Sequence, residues 1–177
     1  PIGWTGNSTL HFLLDDQLKT KNINQSKNEW DLPLIFAIKN KLYEKVSDER
    51  VQLLHEAQDM ILNLSYSSDA TLIVFEVYGD ETVVIQNEKF IKTDIRNGNA
   101  PTVSPDGEKI VFMIIEDDGY QIQSGSISYW DSRTGKIYPI IEDPKMVAMN
   151  PAWANNNLIY YINFLDGSIN SAKLGNQ

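Results

Sequence analysis

Apolar and polar residues follow one another in short blocks along this chain, and four blocks share a layout. Each has an aromatic or apolar residue, a short polar turn, and an apolar run closed by an aromatic. They read Trp4-Thr-Gly-Asn-Ser-Thr-Leu-His-Phe12, Tyr66-Ser-Ser-Asp-Ala-Thr-Leu-Ile-Val-Phe75, Val103-Ser-Pro-Asp-Gly-Glu-Lys-Ile-Val-Phe112 and Trp153-Ala-Asn-Asn-Asn-Leu-Ile-Tyr-Tyr161. The runs are β-branched and aromatic, and their continuity predicts strands buried on both faces. In Ser104-Pro-Asp-Gly107 the proline pre-sets φ and the glycine accepts positive φ, as a tight turn requires.

A second turn signal closes each run: Asp15 with Asp16, Tyr78 to Asp80, Asp117 to Gly119, and Asp166 with Gly167. A third strand is predicted at Thr82 to Gln86, Ser126 to Trp130 and Ser168 to Leu174. A fourth follows at Lys89 to Thr93 and at Lys136 to Ile141, the latter across the turn Asp131 to Gly135. Four antiparallel strands in roughly 40–50 residues is the pattern of a propeller blade. Glu49 to Leu62 also threads as a helix, with Leu54, Ala57 and Ile61 on one stripe, but the register of the other units favours a strand at Arg50 to Leu54. The polar stretch Asp15 to Asp31 reads as an exposed insertion with almost nothing to bury. The expectation is an all-β domain over residues 1–177, a partial or small propeller of about four repeats. Its approximate blades are 1–59, 60–99, 100–147 and 148–177.

Composition narrows the chemistry. A chain of 177 residues with 42% hydrophobic side chains can bury a core without covalent staples. Acids outnumber bases 24 to 15, a net charge of −9, which makes nucleic acid or an anionic membrane an unfavourable partner. No apolar run approaches the ~18 residues of a spanning helix. Without cysteine there is no disulfide, thiol chemistry or thiolate metal site. The chain opens at Pro1 without a signal-like segment and reads as a mature form or a fragment. An extracellular or cell-envelope location is expected, with a cytoplasmic one fitting nearly as well.

Val103-Ser-Pro-Asp-Gly-Glu-Lys-Ile-Val-Phe112 resembles the WD40-like repeat of TolB-type β-propellers, in which a Ser-Pro-Asp-Gly turn precedes an apolar inner strand. Leu64 to Phe75 is a degraded copy, and the Trp4 and Trp153 copies keep the aromatic and the turn. The resemblance implies the fold and little of the function, because the repeat recurs in transport proteins, peptidase gating domains and sugar-processing proteins.

Candidate chemistry is sparse. His55-Glu56 opens like a zinc-binding H-E-x-x-H but has no second histidine, and His11 lies between Leu10 and Phe12 in a strand-like run. There is no G-x-S-x-G elbow and no phosphate-cradling glycine loop. No catalytic, cofactor-binding or metal-binding residue is therefore assigned, and no cofactor is expected. The turns between second and third strands all carry acids: Asp15 and Asp16, Asp80 and Glu81, Asp117 and Asp118, and Asp166. In a propeller they would share one face, a candidate acidic binding face for a basic partner or a hard cation. Aspartate and glycine are also simply what such turns use.

The expected function is a non-catalytic scaffold for a protein or glycan partner. The alternative is the substrate-gating propeller of a larger hydrolase of the prolyl-oligopeptidase type. Strand edges at the ends of the array would favour a homo-oligomer. The pattern predicts a far-UV circular dichroism spectrum without the helical double minimum. Strong helicity mapping to residues 49–62 would contradict it.

Overall fold

A computed structural model of the chain describes residues 2–5, 9–14, 17–22, 34–47, 50–79, 82–95 and 97–175. Every helix or strand among them is a strand, and these pair into antiparallel sheets. They fall into two compact units, residues 1–61 and 62–177.

In the first unit, β1 (Ile2–Thr5), β2 (Thr9–Leu14) and β3 (Gln17–Asn22) form one three-stranded sheet. Phe12 stands opposite Ile2 on one side and Lys19 on the other. The polar stretch after Leu14 is thus in part a strand, which corrects the reading of Asp15 to Asp31 as an insertion. Backbone pairing with β2 does not depend on the side chains being apolar. Residues 15, 16 and 23–31 of that stretch, and the side chain of His11, lie outside the described residues.

A second sheet contains β4 (Leu34–Ile38), β5 (Lys41–Ser47) and β6 (Arg50–Glu56). Lys39, with φ of 53°, and Asn40 close its first hairpin. Phe36 stacks on Tyr43 with ring centroids 5.6 Å apart. The Asn40 side chain donates to the Ala57 carbonyl at 2.9 Å while the Ala57 N–H returns to the Asn40 carbonyl. Arg50–Glu56 is a strand rather than a helix. Residues 1–59 therefore carry the strands of two sheets rather than the single blade that the repeat predicts.

The second unit stacks three sheets face to face. The third sheet joins β7 (Ile61–Tyr66), β8 (Leu72–Val77), β9 (Thr82–Gln86) and β10 (Lys89–Ile91). The fourth joins β11 (Gly98–Val103), β12 (Lys109–Asp117), β13 (Ile122–Asp131) and β14 (Ile137–Ile141). The fifth has β15 (Ala148–Asn155), β16 (Leu158–Asn163) and β17 (Ile169–Lys173). Because strand side chains alternate, β12 serves both of its neighbours. Ile110 and Phe112 pack toward the third sheet against Leu72, Val74 and Val84, with Trp130 beside them. Val111 faces the fifth sheet with Ile127 and Tyr129, against Ala148, Ile159 and Tyr161.

One corner recurs between the first two strands of a sheet. Ser104 Oγ donates to Asp106 Oδ1 at 2.5 Å and accepts the Lys109 N–H at 2.9 Å, while Asp106 Oδ1 also takes the Glu108 N–H. Ser67 and Asp69 repeat it: Ser67 Oγ donates to Asp69 Oδ1 at 2.7 Å and accepts the Leu72 N–H at 3.0 Å. The left-handed position is Gly107 (φ 71°) in one corner and Ala70 (φ 56°) in the other. Corners also tie sheets together, since Ser65 Oγ accepts the Val103 N–H and Asn156 Oδ1 accepts the Asp106 N–H.

A Cβ added at Gly107 would sit 3.0 Å from the Ser67 Cβ, in addition to the strain of its positive φ. Gly107→Val should destabilise the protein by about 1–3 kcal/mol, read as a shift in the denaturant midpoint. An unchanged midpoint would show that the corner does not constrain the fold.

Candidate functional site

Four of the seven acids proposed as a face, Asp15, Asp16, Asp80 and Glu81, lie outside the described residues. The other three are exposed and occupied by their own turns. Asp118 Oδ1 accepts the N–H groups of Tyr120 and Gln121, and its Oδ2 accepts the Gln123 amide. Those bonds, the Gln121 N–H foremost, hold its carboxyl below the ordinary value. Asp117 accepts the Gly119 N–H at 2.9 Å. Asp166 is held below its ordinary value by hydrogen bonding from the Ser168 side chain and then its N–H. Among the described residues no three carboxylates or imidazoles are placed to hold a metal ion. His55 stands on β6 opposite Leu42, and partial burial pulls its pKa below the ordinary value.

Among the described residues, the most enclosed acid is one the sequence marked only as part of a turn. Asp131 closes the β13–β14 hairpin and is 5% exposed. Burial works against its charge, but the N–H groups of Thr134 and Arg133, with the Arg133 guanidinium, outweigh it and leave the carboxyl below its ordinary value. Its Oδ1 accepts the two N–H groups at 3.0 and 2.9 Å.

Among the described residues, an open cleft lies where β8 ends and β11 begins. Its volume of 740 Å³ is lined by Leu62, Glu76, Tyr78, Asn97, Asn99 and Ile115, among others. Glu76 is its fixed charge. One carboxylate oxygen accepts the Asn63 side-chain amide at 3.0 Å and the other accepts the Ala100 N–H. Both donor residues have positive φ, 47° and 48°, as does Asn150 on β15. A left-handed residue near the start of the first strand thus recurs in the third, fourth and fifth sheets, and in β11 the Glu76 carboxylate secures it. Gly98 is required by close approach, since a Cβ there would fall 2.5 Å from Ile95 and 2.9 Å from the Phe112 ring. Its carbonyl accepts the Thr82 hydroxyl at 2.9 Å. Tyr78 is 64% exposed at the rim. A carboxylate held by two donors, an open aromatic face and two amides can accept hydrogen bonds from an ammonium, guanidinium or sugar hydroxyl and cover the ligand's apolar side. Sequence reasoning passed over Glu76, although a charge inside the run Leu-Ile-Val-Phe-Glu-Val was a visible signal.

This is the architecture of a β-propeller, built from antiparallel blades packed face to face. More particularly, the fold is similar to that of TolB and of other propellers. TolB from Acinetobacter baumannii is 16% identical with a TM-score of 0.51, over 99% of this chain and 56% of that one. YCF48 bound to D1 peptide is 16% identical with a TM-score of 0.56, over 96% and 59%. A puromycin-hydrolysing peptidase from Mycobacterium tuberculosis is 13% identical with a TM-score of 0.60, over 97% and 28%. The chain thus spans between about a quarter and three fifths of these proteins' lengths. No family model and no curated protein matches it.

A lowered folded pKa means that Asp131 contributes stability above the unfolded carboxyl value near 3.9, and that this contribution is lost as pH falls through the lower folded value. Asp131→Ala should cost about 1–3 kcal/mol at pH 7, through unpaired turn amides. The loss should shrink as pH is lowered below about 4. A pH-independent difference in thermal unfolding would contradict the assignment.

Proposed function

We propose that the chain is a non-catalytic propeller scaffold that binds a protein or a glycan in the cleft beside Glu76. The observation that carries this reading is a carboxylate fixed by Asn63 and Ala100 next to the exposed Tyr78. Recognition groups in place before a ligand arrives lower the cost of ordering on binding. The YCF48 structure, a propeller carrying a peptide, supports a protein partner. An extracellular or envelope location belongs to the same reading and is checked by fractionating the native source. A homo-oligomer joined through strand edges is a further mode open to such a scaffold.

A second reading, the gating propeller of a larger hydrolase, is favoured by the peptidase, which this chain matches over 97% of its own length and 28% of the enzyme's. The intact mass of the native polypeptide separates the two, since a hydrolase would carry a further domain.

The cleft is tested with immobilised lysine- and arginine-containing peptides and neutral oligosaccharides. The wild type should retain members of one class, and Tyr78→Ala should weaken retention by about tenfold or more with an unchanged melting temperature. Retention of neither class, or equal retention by the variant, would overturn the assignment.

A further inference from the structure

The third and fourth sheets hold the sheet that follows them in the same way, with different atoms. Their corner serines set the register. Ser67 Oγ accepts the Leu72 N–H and Ser104 Oγ accepts the Lys109 N–H, so Glu76 of β8 and Met113 of β12 stand at the same place on their strands. Each reaches the left-handed residue near the start of the next sheet. Glu76 Oε1 accepts the Ala100 N–H, and Met113 Sδ accepts the Asn150 N–H at 3.3 Å. An uncharged thioether therefore suffices at this joint, and the carboxylate in β8 adds a charge that the joint does not require. Drawing a carboxylate away from water carries a cost, which a cationic ligand would offset. Among the described residues that line the cleft there is no Lys, Arg or His.

We propose, resting on the reading of this cleft as a ligand site, that its occupant is an arginine side chain of a peptide or protein, with the guanidinium on Glu76. A carboxylate has about four acceptor positions on its two oxygens. The Asn63 amide takes one on Oε2 and the Ala100 N–H takes one on Oε1, which leaves, among the described residues, one on each oxygen. Two N–H groups of a guanidinium lie parallel and match such a pair, whereas an ammonium is a point charge. Tyr78 is exposed at the rim of the same cleft, and a planar cation stacks on an aromatic face. Asn99 donates its side-chain amide to the Asn97 carbonyl at 3.0 Å, so its Oδ1 can accept a further guanidinium N–H. A neutral sugar would use the same acceptors but leave the carboxylate charge unbalanced.

Fluorescence anisotropy on the wild-type chain, with a short end-blocked peptide carrying a single arginine and with its lysine and citrulline analogues, tests the proposal. The arginine peptide should bind most tightly and the lysine peptide about tenfold more weakly. The citrulline peptide, neutral but of the same shape, should bind more weakly still. Glu76→Met places in β8 the residue that β12 uses, so it should keep the wild-type melting temperature and weaken arginine binding by about tenfold or more. Glu76→Gln, close in size to the native side chain, serves if the methionine variant does not fold. Equal binding of the arginine and citrulline peptides, or arginine binding unchanged by the Glu76 variant, overturns the proposal. Equal binding of the arginine and lysine peptides overturns the guanidinium pairing, and a melting temperature that falls sharply in both variants overturns the view that the charge is surplus to the fold. Retention of a neutral oligosaccharide without arginine binding overturns the proposal and leaves the cleft a ligand site. Binding of neither class overturns both.

Discussion

A strand that is apolar at consecutive positions must be covered on both faces of its sheet. Leu72 to Phe75 and Ile110 to Phe112 meet that condition, every one of them buried. Full burial of such a side chain contributes about 1.5–3 kcal/mol, against about 1 kcal/mol for a typical hydrogen bond. The stacking of the third, fourth and fifth sheets therefore dominates the energetics of the second unit. The Ser-x-Asp corners fix register: they set which residues of β8 and β12 reach which neighbour. A one-residue slip would turn each apolar set to the wrong face.

The same constraint shapes the surface. Acids concentrate in the turns, where Asp69, Asp106, Asp118, Asp131 and Asp166 each accept hydrogen bonds from nearby groups. Their charge is spent on local geometry, which weakens the picture of a free acidic platform. Glu76 differs because it reaches from β8 to the Ala100 N–H on β11. By securing a left-handed residue between two sheets, it leaves a polar cleft where the apolar stacking stops.

Much of the second unit was legible in the sequence. The runs at Leu72, Ile110 and Leu158 became β8, β12 and β16, and Ser104 to Gly107 became the corner its residue types demand. Less legible were features set by neighbours rather than by residue type. Nothing about Ala100 or Ala70 announces positive φ, since each is held by hydrogen bonds from its surroundings. Gln17–Asn22 is too polar to read as a strand, yet backbone pairing makes it one. The cleft needed the spatial meeting of Asn63, Glu76 and Asn99, which no local pattern encodes. β16 had a continuous apolar run like that of β12, and only the structure shows that one of its faces is open.

That difference gives the most direct test of stacking as the principal source of stability. β12 and β16 are both central strands, paired on each side, and differ in whether both faces are covered. Native-state hydrogen exchange in dilute solution should show β12 amides exchanging only through large-scale unfolding, with β16 amides exchanging through openings of lower free energy. Equal or greater protection in β16 would contradict the account, because strand pairing alone would then be sufficient to hold the sheet.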